Sequence, residues 1–178
     1  MFVIVNGTGG AGKDEFVKQC IQYIQDKGYS EKVRVIKKSI IDPVKELARN
    51  MNWQDEKTEK ARRFLSDLKD LWDSYNGDLL NIVLEEAKKN ANRRDVLEFM
   101  DMRTPREIET VKTIHSPLVR TVLVDNPSVR LIASNHADAG VFRYDYDYVI
   151  KNDGDISALY EKAGEFIESL FEYYQIEV

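Results

Sequence analysis

The chain opens Phe2-Val3-Ile4-Val5-Asn6-Gly7-Thr8-Gly9-Gly10-Ala11-Gly12-Lys13-Asp14. Phe2 to Val5 is a short, unbroken apolar run, the pattern of a strand covered on both faces of a parallel sheet. A glycine cluster ends it. Behind the cluster Phe16, Val17, Cys20, Ile21 and Ile24 recur at helical spacing until Gly28 supplies a stop. Strand, glycine loop and helix are the context in which Gly7 to Lys13 match the phosphate-loop pattern G-x-x-x-x-G-K. Glycines let the backbone curl so that successive N–H groups point inward, and the helix N-terminus adds partial positive charge, which makes a nest for phosphate oxygens. Lys13 brings a mobile full charge to the same oxygens. Gly7, Thr8, Gly9, Gly10, Ala11, Gly12, Lys13 and Asp14 are therefore the expected phosphate-binding residues, with Lys13 also catalytic.

Asp14 stands where the pattern has Ser or Thr, whose hydroxyl meets magnesium. Two readings follow. A carboxylate can hold Mg²⁺ directly or through a water, because the ion prefers hard oxygen donors; an acidic residue in a first helical turn is also favoured by the helix dipole alone.

Further along, Val33 to Ile36 is a second β-branched run, and Asp42-Pro43 stand where a helix N-cap and first helical residue belong. Val44, Leu47, Ala48 and Met51 mark one helical face. Ala61, Phe64, Leu65, Leu68, Trp72 and Tyr75 mark another, and Leu79, Leu80, Val83 and Leu84 a third. Val96 to Met102 returns to strand character, and Thr104-Pro105-Arg106-Glu107 is a capping box opening a helix. Thr121 to Val124 and Tyr148 to Ile150 read as two more strands, before Asn152-Asp153-Gly154-Asp155 turns into a last helix with Leu159, Ala163, Phe166, Ile167, Leu170 and Phe171 inward. Five strands alternating with helices predict an α/β domain with a five-stranded parallel sheet between two helical layers. Residues 42–92 are then a helical insertion.

The 178 residues make one domain, long enough to bury about 70% of the surface of the unfolded chain. With 43% hydrophobic and 32% charged residues, nine Gly and four Pro, the composition excludes collagen-like, low-complexity and disordered classes. The net charge of -5 provides no overall positive field for a nucleic-acid backbone. A single cysteine and two histidines exclude an internal disulfide and a Cys/His zinc cluster, so a reducing, cytoplasmic compartment is expected. The apolar start is far short of the roughly 20 residues of a membrane span, and no membrane partner is expected.

Gly10-Ala11-Gly12-Lys13-Asp14 resembles the phosphate loop of phage-type deoxynucleoside monophosphate kinases and the related phosphomevalonate kinases. Three further stretches are similar to that nucleotide-kinase group and keep its order: Ser39 to Leu47 (S-I-I-D-P-V-K-E-L), Asp101 to Glu107 (D-M-R-T-P-R-E) and Asp145 to Gly154 (D-Y-D-Y-V-I-K-N-D-G). Together they span almost the whole chain. The resemblance implies a three-layer P-loop fold with a nucleotide-binding core, a helical acceptor-binding insertion and a lid. The lid's place falls to the polar segment 126–143, shorter and poorer in arginine than the lid of adenylate kinases. ATP and Mg²⁺ are the implied donor and cofactor, and a nucleoside or deoxynucleoside monophosphate the implied acceptor; a small phosphorylated metabolite is the alternative.

Candidate residues take their places on this frame. Asp101 ends an apolar strand, where a Walker B-type carboxylate holds the magnesium shell. Arg103, just beyond, can clamp an acceptor phosphate bidentately. Arg62 and Arg63 are adjacent on an insertion helix, so at least one must face away from its apolar stripe, and one or both are acceptor candidates. Asp42 serves as a helix cap or lies against the acceptor. Arg130 and Arg143 are the lid's arginines. Glu107 is assigned to the capping box, Cys20 to the core, His136 to a loop, and Tyr144, Tyr146 and Tyr148 to packing. No N-K-x-D motif supports a GTPase switch, and Met102 after Asp101 does not suit a motor ATPase; a nucleotide-binding module of slow turnover is the remaining non-kinase reading.

Overall fold

A computed structural model describes residues 1–76, 79–91, 93–115, 117–129 and 140–177. Its centre is β1 (Phe2–Asn6), every residue of which is buried. It lies in a five-stranded, all-parallel sheet of order β2-β3-β1-β4-β5, with β2 at Arg34–Ser39, β3 at Val96–Asp101, β4 at Val119–Asp125 and β5 at Tyr148–Lys151. Because strand side chains alternate, β1 feeds two cores. Val3 and Val5 pack with Phe16, Cys20 and Ile24 of α1 (Lys13–Asp26) and with Leu159, Phe166 and Leu170 of α6 (Ile156–Tyr174). Phe2 and Ile4 pack on the other face with Leu80 and Leu84 of α4 (Leu79–Ala91) and Ile108 and Val111 of α5 (Pro105–His115). Helices, sheet and helices form the expected three layers.

The helical stretch after β2 divides. α2 (Asp42–Asn50) and α3 (Glu59–Asn76) build a further cluster around Val44, Ala48 and Leu65, which Leu79 of α4 joins, whereas Leu80, Val83 and Leu84 of α4 add to the core of the sheet. Only Val44 and Ala48 of the predicted α2 stripe are buried; Leu47 and Met51 are 37% and 55% exposed, beside the line that meets α3. Tyr75 is 86% exposed. For Tyr75 the physical reason is length: α2 has 9 residues against 18 in α3 and covers only part of it.

Local signals set the helix ends. Gly28, at φ +74°, terminates α1 in the left-handed conformation. The capping box closes as expected: Thr104 N–H donates to Glu107 Oε2 (3.2 Å) and Glu107 N–H to Thr104 Oγ1 (3.3 Å). Asp155 caps α6 by accepting from Ala158 N–H at 2.9 Å. Asp42 corrects the N-cap expectation. It is the first residue of α2, with Ile41 at the cap, because its carboxylate accepts backwards from Ser39 N–H (2.6 Å) and from Lys45 Nζ (2.9 Å). Among the described residues, no helix is long and apolar enough to cross a membrane.

Asp147 anchors the approach to β5. Its Oδ2 accepts from Thr121 N–H and Oγ1, both at 2.8 Å, with Lys112 Nζ at 3.5 Å, and its Oδ1 lies 3.8 Å from Arg120 Nη1. Burial pushes its pKa up, and the Thr121 hydrogen bonds and the two cations outweigh that, holding the carboxyl below its ordinary 3.8. A carboxyl depressed in the folded state stabilises fully above its unfolded pKa and loses that contribution as pH falls through the folded value. Asp147→Ala should cost about 1–3 kcal/mol at pH 7, and the gap to wild type should narrow in urea titrations as pH falls below 3.8 through the lowered folded value. Phe166 packs edge-on to Tyr148 (5.0 Å) and tilted against Phe16 (5.4 Å). Phe166→Ala should cost about 3–5 kcal/mol, read as a lower urea midpoint at unchanged slope.

Candidate functional site

The strand order reverses at β1: the chain leaves β1 through α1 for β2 on one side, and leaves β3 through α5 for β4 on the other. Open parallel sheets bind ligands beyond the carboxyl ends of their strands at such a point. Gly7 to Gly12 occupy it. A Cβ at Gly7, where φ is +151°, would lie 2.4 Å from Val124 O, so only glycine lets the loop pass β4. At Gly12, φ +92°, a Cβ would lie 2.3 Å from Asn152 Nδ2, and that amide donates to Ala11 O at 2.9 Å. Asn152, expected in the turn after β5, thus pins the loop from behind. No side chain caps α1, which leaves the N–H groups of its first turn to the loop and its ligand. Lys13 arches over the loop, with Nζ 2.7 Å from Gly7 O and 3.3 Å from Thr8 O.

Lys13, Asp14, Lys37 and Asp101 line one crevice beside the loop. Asp14 Oδ1 accepts from Lys37 Nζ of β2 at 2.5 Å, and that hydrogen bond, more than any other influence, draws the carboxyl below its ordinary 3.8. Asp101 sits in register with Val5 at the end of β3. Its Oδ1 is buried and has no hydrogen-bond partner among the described residues. An unpartnered buried carboxylate oxygen is costly. Beside Asp14 and Lys13, it fits a hard divalent cation or that cation's bound water.

On the other side of Asp101 lies a cavity of about 120 Å³ between the end of β2, α3 and the start of α5. Arg62 of α3 and Arg103 after β3 line it, as do Ile40, Ile41 and Leu65, which supply apolar wall. Arg63 does not line it: 76% exposed, it lies 3.9 Å from Asp67 along the helix. Asp42 is likewise absent from the lining, turned to Ser39 and Lys45. Lys69 does reach the cavity, held by Glu107 Oε1 (2.9 Å) and Asp73 Oδ2 (3.2 Å). Burial works against its charge, and the two carboxylates overcome this and raise its pKa. Glu107 therefore spends one oxygen on the capping box and the other on Lys69. Arg143 is exposed in a short turn at Val141–Arg143, outside the cavity. Arg130 and His136 lie outside the described residues.

Sequence reasoning missed Lys37, Lys69 and Asn6; it read Asn152 to Asp155 as a turn after the last strand that could lie near the donor base, without naming the bond from Asn152 to Ala11 O. Lys37 and Lys69 look like ordinary surface cations in a chain with 26 basic residues. Asn6 had one visible signal, a polar residue closing an apolar strand, but nothing local names its partners.

The fold is that of the P-loop kinases. The chain is similar in structure to a sugar kinase from Janibacter sp. HTCC2649, with a TM-score of 0.51, 13% identity and 94% of each chain covered. A gluconokinase from Sinorhizobium meliloti 1021 (TM-score 0.49, 12% identity, 98% of this chain and 97% of that one) and a shikimate kinase from Aquifex aeolicus vf5 (0.48, 11%, 96% of each) align less well. At 13% identity the first likeness speaks for the fold alone, and the other two add nothing to it. No family model matches the chain, and no curated protein matches it in sequence.

Gly12→Ala should weaken ATP binding by more than about tenfold, since left-handed strain of 1–3 kcal/mol and the encounter with Asn152 both fall on the loop. Titration calorimetry checks the affinity, and circular dichroism should report an unchanged fold.

Proposed function

We propose that the protein is a phosphotransferase that moves the γ-phosphoryl group of ATP to a nucleoside or deoxynucleoside monophosphate. The observation that carries this reading is the position of Asp101, which lines both the crevice of Lys13 and Asp14 and the cavity of Arg62 and Arg103. Two anion-binding sites that share a wall suit a donor polyphosphate and an acceptor phosphate meeting end to end. The loop N–H groups and Lys13 take the β- and γ-phosphates. Arg62 and Arg103 grip the acceptor phosphate, and Ile40, Ile41 and Leu65 take its apolar part. Asp14 and Asp101 would hold Mg²⁺, which when bound neutralises charge on the phosphate oxygens.

An acceptor oxygen attacks the γ-phosphorus, the bond from that phosphorus to the β,γ-bridging oxygen breaks, and ADP leaves with the electron pair. A phosphate monoester has its second pKa near 6, so the attacking oxygen is already ionised at neutral pH. No general base is required. Positioning and charge stabilisation then supply the acceleration. Segment 126–143, with Arg130 and Arg143, is the proposed lid, closing to exclude water. Nucleotides are the proposed partners, in a reducing, cytoplasmic setting.

The modest cavity, about 120 Å³, supports a second reading in which the acceptor is a small phosphorylated metabolite such as phosphomevalonate. One assay separates the readings: ADP formation from ATP and Mg²⁺ with each common NMP and dNMP, with phosphomevalonate, and with no acceptor. The expected result is ADP release that depends on a monophosphate nucleotide and falls about 10²–10³-fold in Lys13→Ala. ATP binding with no acceptor above the blank would leave a nucleotide-binding module and overturn the transferase.

A further inference from the structure

Asn6 is fully buried as the last residue of β1, at the point where the two neighbouring strands part. Toward β4 the ladder still includes it, opposite Leu123. Toward β3 the register ends at Val5 opposite Asp101, with Met102 N–H donating to Val5 O at 3.3 Å. Beyond that rung the Asn6 side chain takes over. Its Nδ2 donates to Arg103 O (3.1 Å) and to Tyr146 Oη (2.7 Å), while its Oδ1 accepts from Gly7 N–H (2.8 Å). Tyr146 Oη in turn donates to Val141 O at 2.8 Å.

The amide has one possible orientation, because Gly7 N–H can only donate and Arg103 O can only accept. One carboxamide thus joins the first residue of the phosphate loop, the backbone of the acceptor-side arginine, and the segment at residues 141–146. Packing does not call for it: Phe2 and Ile4 serve the same face of β1 with apolar side chains. Burying an amide there is costly unless all its bonds are made.

We infer that Asn6 is a positioning residue that fixes the phosphate loop against Arg103, and that Tyr146 extends this constraint to the chain around Val141. The kinetic part of the inference rests on the proposed phosphoryl transfer, in which donor and acceptor must be held to within about 1 Å. Tyr146 suits the relay: burial pushes its phenol up to about 12, so the hydroxyl stays a neutral donor, and its ring packs edge-on to Tyr144 at 5.0 Å.

Two near-isosteric variants test it. Asn6→Asp keeps the acceptor for Gly7 N–H and replaces the Nδ2 donor with an oxygen facing Arg103 O. Tyr146→Phe keeps the ring and removes the hydroxyl. The expected result is a fall in kcat of about 10–100-fold in Asn6→Asp, a smaller fall in Tyr146→Phe, and an ATP affinity within about threefold of wild type in both. The double variant should lose less than the product of the two, since both break one link.

Hydrogen exchange supplies a readout that needs no turnover. In wild type, ATP should slow exchange of the amides at residues 141–146; in either variant ATP should bind without doing so. Wild-type turnover with no such protection, or variants that match wild type in kcat and protection, would overturn the inference and leave the transferase standing. A parallel loss of ATP affinity, kcat and melting temperature would make Asn6 merely structural and overturn it too. Protection that appears in wild type and vanishes in the variants, in a protein that transfers no phosphoryl group, would uphold the inference while the transferase fell. Should Asn6→Asp not fold, Tyr146→Phe and Asn6→Ser carry the same comparison.

Discussion

Everything at the carboxyl edge of the sheet depends on a turn that side chains forbid. The chain leaves β1 with 2.4 Å between a would-be Cβ at Gly7 and Val124 O, and enters α1 with 2.3 Å between one at Gly12 and Asn152 Nδ2. Glycine at both ends lets the loop lie against β4 and against the turn after β5. The backbone between them is then held by fixed neighbours and not by its own stiffness, and a nest of N–H groups keeps its shape without a ligand to organise it.

Charge around this turn is arranged in pairs. Lys37 meets Asp14, and Lys69 meets Glu107 and Asp73. Asp101 breaks the pattern with a buried oxygen that finds no hydrogen-bond partner among the described residues. Partly exposed pairs such as Lys37 with Asp14 add little stability. Their effect is to orient: Lys37 with Asp14 and Lys69 with Glu107 each hold a lysine from one element against a carboxylate from another, so that β2, α1, α3 and α5 bring their side chains to a common edge.

The elements of the core were legible because local signals agree with one another. Apolar runs at β1, β3 and β4, the Thr104 to Glu107 box, Gly28 and Asp155 each act over a few residues and meet no competing pull. The insertion was harder to read. Leu47, Met51 and Tyr75 satisfy helical periodicity and still face outward, because periodicity gives a face and not how much of it a partner covers. Asp42 failed as a cap for a related reason: its carboxylate had a nearer donor in Ser39 N–H, supplied by the way β2 ends.

For the site, the sequence alone determined the strand, glycine loop and helix that make the candidate phosphate site, since glycine spacing, the lysine and the flanking strand and helix all lie within some twenty residues and act through the local backbone. It also marked Asp101 and Arg103, because a strand end is a local feature. What it left open between Arg62 and Arg63 was decided by the packing of α3 against the start of α5, which puts Arg62 on the cavity wall and leaves Arg63 in solvent. The partners that tie Asn6, Lys37, Lys69 and Asn152 to other elements, namely Arg103, Tyr146, Asp14, Glu107 and Ala11, lie 23 to 141 residues away. Contacts of that separation are set by how the layers pack, and only the tertiary structure could name them.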